Sequence, residues 1–96
     1  MNGRFPHLKK GDVSLAVAIA QVFAIANGHG VDGMIPGRYC PQTSLAFKSV
    51  KDRYGIEEDG FGPEIVKKLQ RVRFGEATMD FDSFASLVEA GEVVAV

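Results

Sequence analysis

The chain has 96 residues and a mass of 10.4 kDa, enough for one hydrophobic core and no more. Its 46% apolar and 24% charged residues argue against global disorder. Eleven Lys/Arg against twelve Asp/Glu leave a formal charge of −1, which excludes nucleic-acid binding driven by bulk charge. The one cysteine, Cys40, excludes an intrachain disulfide framework. With only His7, His29 and Cys40 as nitrogen or sulfur donors, the expectation is of no metal and no cofactor.

Residues 1–7 read as a polar arm. Asp12 is the expected N-cap of a first helix over residues 13–27, closed by Gly28 as a left-handed C-cap. Lys9 and Lys10 ahead of this apolar run imitate a signal peptide. Asp12 within the charged start and Gln21 within the run argue for a core helix instead, and the run is too short to span a bilayer. Neither an export signal nor a membrane partner is therefore expected. The helix is apolar almost all round, with Ala18, Val22 and Ile25 forming a stripe beside the core-facing Val17, Ala20, Phe23 and Ala24.

Six glycine or proline breakers from Gly28 to Pro41 make a loop, with Asp32-Gly33 as a tight turn. A second helix is predicted over residues 42–54, with Leu45, Phe47, Val50 and Tyr54 inward and Gly55 as its stop. A second loop turns at Asp59-Gly60. Pro63 then opens a third helix that ends near Arg71. Residues 71–74 suggest a short extended piece. Thr78 or Asp80 caps a fourth helix over residues 81–90, and residues 92–96 are a strand or docked tail.

Two segments echo one another, each a helix followed by an Asp-Gly turn: Ala16 to Gly33 and Leu45 to Gly60. The order Leu8, Gly11, then Ala16-Val17 and Gln21, then Val31-Asp32-Gly33 resembles the opening half of the three-helix peptidoglycan-binding domain family. Ala46-Phe47, Tyr54-Gly55-Ile56 and Asp59-Gly60-Phe61-Gly62-Pro63 resemble its second half. The family pattern runs L-x-x-G, an A-V-x-x-L-Q helix, V-D-G-x-x-G-P-x-T, an A-(V/F)-x-x-F-Q helix, G-L/I and D-G-x-x-G-P. The chain departs from it in the stretched loop Met34 to Thr43, in a shortened second turn, and in lacking the second helix's glutamine.

The resemblance implies an all-α fold: a three-helix bundle with two Asp-Gly turns, plus a C-terminal helix and tail. It divides the chain into an arm (1–7), a binding domain (8–71) and an extension (72–96) packed on the first helix. It also implies a non-catalytic module that binds peptidoglycan or muropeptides, located at the cell wall or on a virion. The alternative is a structural or adaptor subunit of a larger assembly, such as a phage virion, that contacts other protein subunits through the first helix or the extension.

Candidate ligand residues are Arg38 and Tyr39 on the stretched loop and Arg53 and Tyr54 at the end of the second helix, where an aromatic ring and a guanidinium suit a sugar face and a carboxylate. Asp32, Gly33, Asp59, Gly60, Gly62 and Pro63 are assigned to the turns. No catalytic residue is assigned. Glu57, Glu58 and Asp59 are consecutive rather than opposed across a cleft. An EF-hand with Gly60 at its sixth position would place Gly55 first and Val66 twelfth, where carboxylates are needed. Cys40 has no orienting partner in sequence. A helix-turn-helix reading through Lys48, Lys51 and Arg53 is opposed by the acids that follow directly.

Overall fold

The computed structural model describes residues 5–91. It holds four helices, α1 (Leu15–Ala26), α2 (Pro41–Tyr54), α3 (Pro63–Lys68) and α4 (Phe81–Glu89), with strands β1 (Val72–Phe74) and β2 (Ala77–Met79) between α3 and α4. The all-α expectation is thereby corrected: this is a small mixed fold with a two-stranded antiparallel sheet. Val72 pairs with Met79 and Phe74 with Ala77, and Gly75 takes φ +61° in the two-residue turn. Positive φ at the first turn position alone is the II′ pattern of tight hairpins. Ala77-Thr78-Met79 has neither alternation nor more than one β-branched residue, so its strand is set by pairing with β1 rather than by its own preference.

α1 is the central element. Every residue from Ala16 to Ala24 is buried, which accounts for a helix apolar on nearly all sides. Ile25 is the exception on its second stripe, at 41% exposed. Ser14 caps the helix, its Oγ accepting the Val17 N–H at 3.3 Å. Asp12, the expected cap, instead accepts the Lys9 N–H at 2.8 Å and closes a turn ahead of the helix. α2 buries Thr43, Ala46, Phe47 and Val50, a continuous i, i+3, i+4, i+7 face. Leu45 falls off that face and is 58% exposed, so its inward assignment is corrected.

All seven phenylalanines join one aromatic network. Phe61 lies at its centre, with ring centroids 4.8 Å from Phe47, 5.8 Å from Phe5 and 6.0 Å from Phe81. Phe23 of α1 meets Phe81 and Phe84 of α4 at 5.6 and 6.4 Å, which seats α4 on α1. Asp80 caps α4 by accepting the Ser83 N–H at 2.8 Å, and this bond holds its carboxyl below the ordinary aspartate range. Phe5 is buried between Phe61 and Phe81, so the chain is anchored from its fifth residue. The remainder of the expected arm (1–4) and the expected C-terminal strand or tail (92–96) lie outside the described residues.

Both Asp-Gly bends are present, with Gly33 at φ +90° and Gly60 at φ +71°. Among the described residues neither carboxylate takes a hydrogen bond. The second bend is instead held by a partner segment. Leu8 and Phe61 exchange both backbone bonds, at 2.7 and 3.1 Å, and His7 Nε2 bonds the Asp59 carbonyl. Gly62 then serves as N-cap residue of α3 and Pro63 as its first residue. α3 ends at Lys68, short of Arg71, and Leu69 turns the chain toward β1.

Candidate functional site

The segment from His7 to Ser14 runs from the second bend to the stretched loop and builds one wall of a groove. Beyond the Leu8–Phe61 pair, it bonds the stretched loop. Gly11 N–H donates to Tyr39 O (3.0 Å), Tyr39 N–H to Asp12 O (2.8 Å), and Ser14 N–H to Gly37 O (2.9 Å). Lys9 and Lys10 lie between these attachment points with their side chains exposed. The face of α2 that carries Pro41, Ser44, Leu45, Lys48 and Lys51 builds the opposite wall.

The groove has two adjoining parts that share Lys10, Tyr39 and Ser44. One, of about 870 Å³, is walled mainly by Val13, Ile35, Pro41, Leu45 and the Arg38–Cys40 backbone turn. The other, of about 650 Å³, is lined by His7, Lys9, Lys48, Lys51, Asp59 and Gly60. The result is one depression, apolar at one end and cationic at the other. Lys48 pairs with Asp52 at 3.2 Å on the surface, and Lys51 Nζ donates to Glu58 O at 3.2 Å. Lys9 and Lys10 form no ion pair among the described residues, so their charges face the groove uncompensated.

A single buried amide fixes the loop that supplies this floor. Gln21, fully buried in α1, places Nε2 within hydrogen-bond distance of Ile35 O (2.9 Å), Arg38 O (3.0 Å) and Thr43 Oγ1 (2.9 Å), its two hydrogens shared among the three. Its Oε1 accepts the Gly37 N–H at 2.8 Å. Thr43 Oγ1 in turn donates to Arg38 O at 3.0 Å and lies 3.2 Å from Cys40 Sγ. The stretched loop and the start of α2 are thus bolted to the core helix through one polar cluster, which a buried amide requires.

Tyr39 is 3% exposed, its ring packed edge-on against Phe47 at 4.9 Å. It therefore offers the groove its rim rather than an open stacking face. Burial first, then the nearby charges of Asp59 and Asp12, raise its hydroxyl above the ordinary tyrosine value and keep it protonated as a donor. Arg38 is exposed on the same rim. Arg53 and Tyr54 are elsewhere, at the far end of α2, in a cleft of about 570 Å³. The fourteen residues of α2 span about 20 Å, so the four candidate ligand residues divide into two places rather than forming one site. Asp32 and Gly33 line a third, smaller depression with Ile25 and Met34.

The lysine wall was not assigned to ligand binding from sequence. Lys9-Lys10 reads there as the start of a false signal peptide, and Lys48 and Lys51 as one charged helix face. Their convergence depends on the Leu8–Phe61 pairing, which no local pattern announces. Cys40 lines the apolar end of the groove. Burial alone would push its thiol up. The Thr43 hydroxyl and the backbone groups of Ile35, Thr43 and Gln42 around it outweigh burial and bring it to about 7. Cys40 and His7 line different parts of the groove and His29 lines the far cleft, and among the described residues Cys40 bonds neither histidine.

Among the described residues, no group of three or more His, Cys, Asp or Glu side chains is placed to hold a metal ion, and no helix is long and apolar enough to cross a membrane. Comparison with known proteins gives no significant match to any family model, curated protein or solved structure.

Proposed function

We propose that this protein is a non-catalytic peptidoglycan-binding module that holds an associated protein or particle against the bacterial cell wall. The observation that carries the reading is the groove between residues 7–13 and the start of α2, apolar at one end and lysine-lined at the other. A muropeptide has this same division. Its sugar rings and N-acetyl and lactyl methyl groups are apolar on one side, and its stem peptide carries carboxylates. Val13, Ile35 and Leu45 would take the former, and Lys9, Lys10 and Lys48 the latter. The ordered sequence landmarks of the resembled family support the reading independently. So does the dispersal of the nucleophile and base candidates, which suits binding better than covalent catalysis.

The test is sedimentation with purified sacculi at low salt. The protein is expected in the pellet, and the double variant Lys10→Glu/Lys48→Glu is expected to lose about tenfold or more in affinity, because exposed charge pairs become charge repulsions. Lys67→Glu/Lys68→Glu, the same charge change away from the groove, is expected to sediment as the parent does. A parent protein that stays in the supernatant would refute the proposal.

One observation favours a second reading, a structural subunit of a larger assembly. Val13, Leu15 and Leu45 are 69%, 56% and 58% exposed, and Val13 and Leu45 rim the apolar end of the groove. If that rim is a protein interface, Val13→Ser/Leu45→Ser should abolish a self-association seen by analytical ultracentrifugation. A parent that is monomeric up to millimolar concentration opposes self-assembly.

A further inference from the structure

The cleft at the far end of α2 is a different kind of site. It lies where α1 and α2 both end and β1 begins, and it gathers Arg53, Arg71 and Arg73 with His29. These are three of the five arginines in the chain. All three are exposed, no carboxylate lines the cleft, and among the described residues none of them forms an ion pair.

Folding alone does not account for this concentration of like charge. The two helix C-termini here present about −0.5 each, roughly −1 in all, against three guanidinium charges. A surplus of about two positive charges remains. Most of the helix-end carbonyls are also already satisfied by the backbone, and among the described residues none of the three guanidinium groups forms a hydrogen bond. Gly28 N–H donates to Ile25 O (3.2 Å), His29 N–H to Ala24 O (2.7 Å) and Ile56 N–H to Lys51 O (2.9 Å). The guanidinium donors are therefore left for something else.

The cleft is also rigidly built. Asn27 grips the backbone of Arg73 at two points, its Oδ1 accepting the Arg73 N–H (2.9 Å) and its Nδ2 donating to Arg73 O (3.1 Å). The same Nδ2 donates to Phe23 O at 2.9 Å, tying β1 to the core helix. The His29 ring is held by Ser49 Oγ at 2.8 Å, and the Arg53 guanidinium sits 6.0 Å from the Tyr54 ring centre. Ile25 and Tyr54 supply an apolar side beside the cationic one.

We propose that this cleft binds a phosphate group carried on a sugar or polyol, with Arg53, Arg71 and Arg73 contacting the phosphate oxygens and Tyr54 and Ile25 the carbon skeleton. A phosphomonoester carries about −1.5 to −2 at neutral pH, which matches the uncompensated charge, and arginine's planar fork suits its oxygens. The proposal is independent of the groove, with which the cleft shares no lining residue.

The test is a titration of the full chain with sn-glycerol 3-phosphate, followed by amide chemical shifts at constant ionic strength. Saturable shifts are expected at residues 27–29, 53–54 and 71–73, with inorganic phosphate weaker at the same residues. Arg71→Gln and Arg73→Gln are each expected to weaken binding about tenfold, as loss of a charge-assisted bond does. Lys67→Gln/Lys68→Gln, a larger charge loss outside the cleft, should change it less than about twofold, as screened surface charges do. Absence of saturable shifts would overturn the proposal, and so would equal weakening by the lysine control. Tighter binding of a short DNA oligonucleotide at these residues would overturn the assignment to a sugar or polyol phosphate.

Discussion

Gln21→Met is expected to destabilise the protein by about 3–5 kcal/mol, although it keeps the size and unbranched shape of the side chain. The substitution removes only hydrogen bonds. It strands the Gly37 N–H and deletes the three Nε2 contacts, while Ile35 O keeps its bond from the Arg38 N–H and Arg38 O keeps those from Thr43 and Cys40. The stranded donor costs roughly 1–3 kcal/mol, and each of the other lost bonds about 0.5–1.5 kcal/mol. For a domain whose whole stability is of order 5–15 kcal/mol, this is a large fraction, and about 4–8 °C of Tm is expected per kcal/mol. Thermal unfolding by circular dichroism measures the loss. Hydrogen exchange locates it: the Gly37 amide should lose protection before the amides of α2 do. A Gln21→Met variant that melts with the parent would show that the stretched loop is held by something other than this amide.

Gly60→Ala is expected to be comparably severe, at about 3–5 kcal/mol, for a steric reason. A Cβ at this position would lie 2.0 Å from the carbonyl oxygen of Leu8, and φ is +71°, where an L-residue is strained. The carbonyl cannot retreat without breaking its bond to the Phe61 N–H, and that bond attaches the groove's outer wall. Gly28→Ala separates the two causes. Its φ of +83° is similar, but a Cβ there would meet nothing within 4 Å, so strain alone remains, at about 1–2 kcal/mol. Chemical denaturation of the two variants should therefore give clearly unequal losses. Equal losses would mean that the close approach of Leu8 is not what requires glycine.

What was legible in sequence follows the range of the physics involved. The helices are announced locally, by the apolar spacing around Phe23, Phe47 and Phe84, by Pro63 at a helix start and by Asp80 at another. The glycines at the two bends are likewise local requirements for positive φ. What escaped is set by tertiary pairing. β2 is strand only because β1 lies beside it, and this is why an all-α reading failed. Phe5 in the polar N-terminal segment is a core residue because Phe61 and Phe81 leave a slot for it. Gln21 looks in sequence like an interruption of an apolar run. In the fold it is the polar residue that the long loop needs at its centre.

The candidate site divides in the same way. Arg38 and Tyr39 were identifiable as residues of an unusual loop, and they do reach the groove. Arg53 and Tyr54 lie at the other end of α2, in a separate cleft. The lysines are brought to the groove by the crossing segment and by α2 from separate parts of the chain. The Leu8–Phe61 pair and the backbone bonds of Gly11, Asp12 and Ser14 to the stretched loop place them together.

The proposed wall recognition is tested most directly by amide shift mapping with a purified disaccharide-peptide muropeptide. Saturable changes are predicted along Lys9, Lys10, Gly11, Tyr39, Ser44 and Lys48, with residues 71–73 unmoved. A muropeptide that moves none of the groove amides at saturating concentration would contradict the proposed function.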